Sequence, residues 1–321
     1  MKTIDVTALG ELLIDFTESG LSEQGNPLLE ANPGGAPCNV LAMLSKLGRK
    51  TAFIGKVGND SFGRLLRQVT EEAGIDVSGL LMDDEVHTTL AFVHKKPDGD
   101  RDFSFYRNPG ADMMLQPGEL RDDLIAQARI FHFGSLSMTH PAVREATREA
   151  LRLAKEHGCL ISFDPNLREP LWNSLEEARE QIAYGLERCD FLKVSDNELQ
   201  WFTGREDFDQ GVALLQERYA IPLILLSKGR DGSSAYTSEL RVDAAPFLQE
   251  NTVETTGAGD TFCACALHAL LDHGLMNWNR EELSRMLRFA NAAASLITTR
   301  KGALRVMPER EEVEELLARR G

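Results

Sequence analysis

The stretch Glu254-Thr255-Thr256-Gly257-Ala258-Gly259-Asp260-Thr261-Phe262 passes from a turn of small residues into an apolar run that reaches Leu271. Small residues let a backbone turn tightly and approach a ligand, and a helix predicted to begin at Asp260 would aim its unpaired N–H groups at that ligand. Such a turn suits an anion. The Asp260 carboxylate would repel the anion itself, but it suits the removal of a proton from a hydroxyl lying beside a phosphate. The same residues also fit a plain Asp cap on a buried helix, and on this stretch alone the cap is the simpler reading.

The rest of the chain bears on the choice. Apolar, strand-like runs at 4–16, 160–163, 191–194 and 223–226 end on or are followed by polar residues: Asp15, then Asp164-Pro165-Asn166-Leu167-Arg168, then Ser195-Asp196-Asn197-Glu198, then Ser227-Lys228-Gly229. In an open parallel sheet, ligands bind beyond the carboxyl ends of the strands, so all four groups would line one rim. Each singly reads as a helix cap; carboxylates and glycine turns converging together favour a site. Several classes drop out. There is no G-x-x-x-x-G-K-[ST] loop, no H-E-x-x-H, no G-x-S-x-G elbow, and the Gly257 turn lacks the third glycine and downstream acid of a dinucleotide fingerprint. The seven histidines show no metal-ligand spacing.

The elements that must position these residues follow a βα rhythm. Gly34-Gly35-Ala36-Pro37 leads into a helix through Leu47, with Pro37 near the helix start where its missing N–H costs little. A strand at 51–57 and a helix at 62–73 come next. Residues 88–106 break the rhythm, because Leu90, Phe92 and His94 alternate with Thr89, Ala91 and Val93, and Phe103 and Phe105 repeat the pattern beyond Pro97-Asp98-Gly99-Asp100. That is a hairpin, either an ordinary edge or a flap over a site. Helices are then expected at 141–157, 175–188, from Asn197, 261–273, 281–299 and 309–319, strands at 130–133 and the three named above, and a second hairpin at 232–245. The expectation is an α/β fold with a mostly parallel sheet covered on both faces, in one domain spanning 1–321. The 321 residues carry a formal charge of −15, which argues against nucleic acid and leaves small molecules as partners. No charged leader or apolar stretch of membrane-spanning length occurs, and the five cysteines contain no C-x-x-C, so a cytoplasmic protein with core thiols is expected.

Gly34-Gly35-Ala36-Pro37-Cys38-Asn39 through Gly55-Lys56-Val57-Gly58-Asn59-Asp60-Ser61-Phe62-Gly63 resembles the first signature of ribokinase-type (PfkB) carbohydrate kinases, and Glu254 to Phe262 resembles the second. The resemblance covers nearly the whole chain. Phe105-Tyr106-Arg107-Asn108-Pro109-Gly110-Ala111-Asp112 and Asp164-Pro165-Asn166-Leu167-Arg168 are similar to the fructokinase branch, and 2-keto-3-deoxygluconate kinases carry related sequences. The resemblance implies a ribokinase-like, Rossmann-like sheet with a small β lid at about 17–33 and 86–107, and transfer of the γ-phosphoryl group of ATP to a primary sugar hydroxyl. It implies Asp260 as base, the Gly257-Ala258-Gly259 turn as anion hole and Arg168 near the phosphates or an acidic substrate group. Asp15, Gly34, Gly35 and Asn39 fall to the sugar, with Arg107 reaching in from the flap. Lys193, Ser227, Gly229, Gly232 and Asn291 fall to ATP, Asn291 near adenine, and Glu198 to hydrated Mg²⁺.

Two positions depart from the pattern. Ser195 stands where many relatives have the Asn of N-x-x-E, and Glu254 stands where an Asp that ligates an activating K⁺ in some relatives is usual, so a potassium requirement stays open. The lid would exclude water on closure, and its apolar residues Leu90, Phe92, Phe103 and Phe105 are expected to pair in a homodimer, against a monomer with a self-covered flap. The alternatives are a 2-keto-3-deoxygluconate kinase, a ribokinase or nucleoside-type kinase, and, from another class, a non-catalytic sugar or nucleotide sensor. A sensor would lack the base, and Asp260 is present.

Overall fold

The computed structural model describes residues 2–95 and 101–320, with the backbone alone at 94–95 and 101–103. Successive side chains of a strand point to opposite faces, and here both faces are apolar. Phe191 enters one hydrophobic core and Leu192 and Val194 the other; Leu223 and Leu225 part from Ile224 and Leu226 in the same way. Such strands are stable only inside a sheet with helices on both sides.

In chain order the elements are β1 (Ile4–Leu9), β2 (Leu13–Leu21), β3 (Pro27–Gly34), α1 (Ala36–Lys46), β4 (Thr51–Gly58), α2 (Ser61–Glu72), β5 (Ile75–Asp83), β6 (Leu90–Lys95), β7 (Arg101–Tyr106) and α3 (Asp122–Ala126). There follow β8 (Ala128–Gly134), α4 (Pro141–Glu156), β9 (Leu160–Asp164), α5 (Leu175–Leu186), β10 (Phe191–Ser195), α6 (Asp196–Thr203), α7 (Phe208–Tyr219) and β11 (Leu223–Ser227). The chain finishes with β12 (Ser233–Tyr236), β13 (Arg241–Ala244), α8 (Ala258–His273), α9 (Arg280–Ile297) and α10 (Arg310–Arg319). The main sheet has the order β13-β12-β11-β10-β9-β8-β1-β4-β5, parallel from β5 to β11 and antiparallel at the β12–β13 edge. Helices α1, α8 and α9 pack into one core, and α4, α5 and α7 into the other.

A second, smaller sheet, β3-β2-β6-β7, stands apart at the place expected for a lid. Phe16 of β2 stacks on Phe92 of β6 at 5.0 Å and meets Phe62 of α2 edge-on at 5.6 Å, which ties the lid to the main body. The expected hairpin is present as β6 and β7, and its tip, Pro97-Asp98-Gly99-Asp100, lies outside the described residues.

Several expectations on the elements are corrected. The run at 4–16 is two strands in two sheets, because the chain turns away at Gly10-Glu11-Leu12; a Cβ on Gly10 would come within 2.5 Å of the Pro37 ring. Asp15 therefore sits on β2, in the lid sheet, and not at the end of a main-sheet strand. Strand β5 and helices α3 and α7 were not expected, while β3 falls within the β lid expected at 17–33. In β5 the alternation is interrupted by Gly79, which is small because a side chain there would press on the Phe53 carbonyl at 2.6 Å. Helix α8 begins at Ala258, two residues before Asp260, so Asp260 occupies its first turn and Gly257 is its cap.

Candidate active site

Helices α2, α5, α6, α7 and α9 are each capped by their own side chain: Asp60, Ser174, Ser195, Asp207 and Asn279. Helices α1 and α8 instead start from Gly35 (φ 128°) and Gly257 (φ 77°), neither of which offers a side-chain cap. Both backbones are in a region that favours glycine. The two bare N-termini meet, and Asn39 of α1 donates from Nδ2 to Asp260 Oδ2 of α8 at 2.8 Å. Asn39 Oδ1 is buried with no hydrogen-bond partner among the described residues. Burial pushes the Asp260 carboxyl above the usual carboxylate range, while the Asn39 hydrogen bond and the charges of Lys193 and Arg168 hold it back. The first turn of a helix also suits a carboxylate.

Within the expected anion hole, one donor is already taken. Ala258 N–H donates to Thr255 O at 3.2 Å, so it is turned inward, and the first intrahelical bond runs from Thr261 N–H to Gly257 O at 2.8 Å. The donors that head α8 are those of Gly259 and Asp260.

Strand parity brings the next groups in. Phe163 and Val194 face the α4–α5 core, so their neighbours Asp164 and Lys193 point to the α8 side. They form an ion pair of 3.0 Å, 3 % and 6 % exposed respectively. Burial works against the Lys193 charge, yet Asp164 and Glu198 outweigh it and raise its pKa. A side chain on Gly259 would reach to 3.2 Å from Lys193 Nζ, so the glycine leaves the ammonium open to the head of α8. Asp15, half-buried, lies against Gly34, where a Cβ would stand 2.5 Å from its Oδ2. Burial, with Glu254 and Asp260 adding and Arg168 opposing, pushes Asp15 up to about 7.

Two cavities adjoin this point. One of about 530 Å³ is lined by Ser227, Gly229, Gly232, Asn291 and Gly259, which brings together four of the five expected ATP residues with the head of α8. Phe247, Gln249 and Arg230 also line it and were missed, because they lie on loops without a local pattern. The fifth, Lys193, lines the other cavity of about 350 Å³ with Arg168 and Glu198. A larger cavity of about 590 Å³ between α4 and α5 is remote from Asp260, and its charges are spent locally: Arg152 pairs with Glu149, and Arg148 and Arg188 stack on Tyr184.

Two expected roles are altered by the contacts. Arg107 is 7 % exposed and turned inward: Nε and Nη2 pair with Asp112 (2.8 and 2.7 Å), Nη1 donates to Thr139 Oγ1 at 2.8 Å, and Nη2 donates to Leu136 O at 3.1 Å. It binds the foot of β7 to the β8–α4 connection. Glu198 Oε1 accepts from Leu167 N–H at 2.7 Å and Oε2 from Ser195 N–H at 2.8 Å, closing a capping box. Against burial, the Lys193 charge and these donors hold its carboxyl below the usual range. Among the described residues no group of three His, Cys, Asp or Glu side chains is poised to hold a metal ion.

The sequence pattern of pfkB family carbohydrate kinases matches residues 3–310. The chain belongs to this family. Among pfkB kinases, the probable fructokinase-2 of Arabidopsis thaliana is 43 % identical over 94 % of this chain and 92 % of its own length. A fructokinase of Xylella fastidiosa with bound ATP superposes with a TM-score of 0.91 at 30 % identity, covering 100 % of this chain and 99 % of the other. A double mutant of the Vibrio cholerae fructokinase, with fructose, ADP and potassium ion bound, superposes with a TM-score of 0.87 at 28 % identity over 99 % of both chains.

Proposed function

We propose that this pfkB kinase transfers the γ-phosphoryl group of ATP to the primary hydroxyl of fructose, giving fructose 6-phosphate and ADP. The observation that carries the reading is the Asn39–Asp260 hydrogen bond across two helix N-termini whose glycine N-caps have no side chain. The fructokinases among its relatives and structural neighbours support fructose as the sugar. Asn39 occupies Asp260 Oδ2, so Oδ1 takes the proton from the sugar hydroxyl as its oxygen bonds to the γ-phosphorus. The bond to the β–γ bridging oxygen breaks and its electrons leave on ADP. A carboxyl raised by burial is the stronger base for this step. The N–H groups of Gly259 and Asp260, with Lys193 and Arg168, stabilise charge on the transferring group. A fructose hydroxyl donating to Asn39 Oδ1 satisfies an acceptor that is otherwise orphaned, and Asp15 holds a second hydroxyl.

Glu198 would be the residue to help hold a hydrated magnesium ion, which would supply positive charge beside the phosphates. Glu198 fits that indirect role because both its oxygens already accept from the chain. A monovalent cation fits Glu254, whose side chain is 6 % exposed, accepts from Gly302 N–H at 2.8 Å and pairs with no lysine or arginine among the described residues. The acidic-sugar alternative loses one of its two cations, since Arg107 is committed to Asp112. The residues act as one catalytic unit whose lid excludes water. The cytoplasm suits it, since the five cysteines are all buried and unpaired and no helix among the described residues is long and apolar enough to cross a membrane.

The deciding assay is ADP release with Mg·ATP across fructose, mannose, glucose, ribose, 2-keto-3-deoxygluconate and nucleosides, with fructose expected to give the highest kcat/KM. No sugar-dependent release from folded protein would sink the kinase reading, and a preference for another sugar would sink the substrate. Replacing KCl by NaCl in the same assay is expected to lower kcat, and an unchanged rate would remove the cation from Glu254.

A further inference from the structure

Glu11 belongs to none of the signatures, and its carboxylate is 4 % exposed. Its Oε1 accepts the N–H of Ala36 at 2.9 Å. Ala36 is the first residue of α1, whose cap Gly35 has no side chain and whose next residue, Pro37, has no N–H. The helix therefore receives from Glu11, a residue outside it, the acceptor that an N-cap side chain ordinarily supplies. A carboxylate at this end also meets the positive pole of α1.

The backbones of the two segments are in contact as well. A Cβ on Gly35 would lie 2.4 Å from Glu11 O and 3.1 Å from Leu12 Cα, and one on Gly10 would lie 2.5 Å from Pro37 Cγ. The start of α1 is thus clamped on both sides of Glu11. One turn on, Asn39 N–H bonds back to Gly35 O at 2.9 Å, and its side chain holds Asp260. Anything that shifts Ala36 shifts Asn39 relative to Asp260.

We propose that Glu11 is a positioning residue, which caps α1 from outside the helix and so sets Asn39 against Asp260 and the sugar. The proposal deepens the fructokinase reading and rests on it for its kinetic test. Loss of the cap is worth about a few-fold to tenfold in the geometry it maintains. Glu11→Ala is expected to raise KM for fructose and lower kcat by about five- to tenfold each, with KM for ATP within about twofold. The amides of Ala36, Cys38 and Asn39 exchange faster with deuterium in that variant, and Glu11→Gln, which keeps an acceptor for Ala36, recovers most of both effects.

A lowered Tm with unchanged kcat, fructose KM and exchange at Ala36, Cys38 and Asn39 overturns the proposal. Should Glu11→Ala fail to fold, Glu11→Asp, which withdraws the carboxylate by one methylene, reads the same split, and wild-type kinetics and exchange in that variant overturn it equally. If the wild-type enzyme phosphorylates none of the sugars, the functional reading fails by itself, and exchange at Ala36 still decides whether Glu11 holds α1.

Discussion

The base role proposed for Asp260 depends on what surrounds it. A carboxylate in the first turn of a helix is an ordinary stabilising feature; burial, opposed by the Asn39 bond, raises its pKa, and the proposed base role rests on that setting. Asp260→Asn is expected to lower kcat by about 10² or more, the range of general-base catalysis, with ATP affinity and Tm near wild type by calorimetry. Near-normal turnover would remove the assignment. Asp15 allows a test by pH, since its carboxyl sits at about 7 in the folded protein against an ordinary 3.8. Between those values the folded state keeps a proton that the unfolded chain has released, so this group's contribution to stability falls as pH rises and stays at its full cost above pH 7. Asp15→Asn escapes that cost. Without sugar, its stability by urea titration at pH 8 is expected to exceed wild type by about 1 kcal/mol or more, the difference closing toward pH 4, while fructose KM rises about tenfold. Equal stability across the range would show that Asp15 ionises freely.

At the scale of elements, the site is made from helix ends. Helices α1 and α8 start from glycines without a cap side chain of their own, and the Ala36 N–H of α1 is taken by Glu11. Gly257→Ala tests this, because it forces an unfavourable backbone and brings a Cβ to 2.9 Å from Ala303 Cβ. The variant is expected to lose about 1–2 kcal/mol of stability, and kcat is expected to fall by a larger factor than KM for either substrate, since the donors serve the transition state. A change confined to KM would place the α8 end in ground-state binding. Much of this level was legible: Gly34-Gly35-Ala36-Pro37 marked the start of α1, and the Gly257 turn marked α8 to within two residues. Less legible was which N–H groups remain available, since the bond from Ala258 to Thr255 depends on how the turn closes.

For the whole molecule, the open question is what covers the lid. The row expected to meet a partner is partly used within the chain: Phe92 stacks on Phe16 and Leu90 packs toward the core. The side chain of Phe103 lies outside the described residues. Exposed apolar side chains lie instead at Leu21, Leu28 and Leu29 on β2 and the edge strand β3, and at Tyr106, which is 68 % exposed. We infer a homodimer through this lid surface. Sedimentation is expected to give a dimer, and Leu28→Asp with Leu29→Asp to shift it toward monomer and raise KM for fructose more than for ATP. A wild-type monomer at micromolar concentration would end this reading.

The sequence by itself determined the layering and the chemistry on offer. Apolar runs shared out between two faces require a covered sheet, and glycine turns followed by acids at strand and helix ends announce a rim for an anion and a hydroxyl. Those are local properties, set by periodicity and backbone freedom. Tertiary structure alone decided which polar groups are spent and which are left. Arg107 reads as a flap residue, and only the fold shows Asp112, Thr139 and Leu136 occupying its nitrogens; Glu198 reads as a metal residue, and only the fold shows its oxygens accepting from Leu167 and Ser195, which leaves it the role through water. The Asn39–Asp260 bond joins residues more than two hundred positions apart, and Glu11 reaches Ala36 across the whole of the first lid hairpin. Burial and pairing are sums over distant neighbours, so no window of sequence contains them.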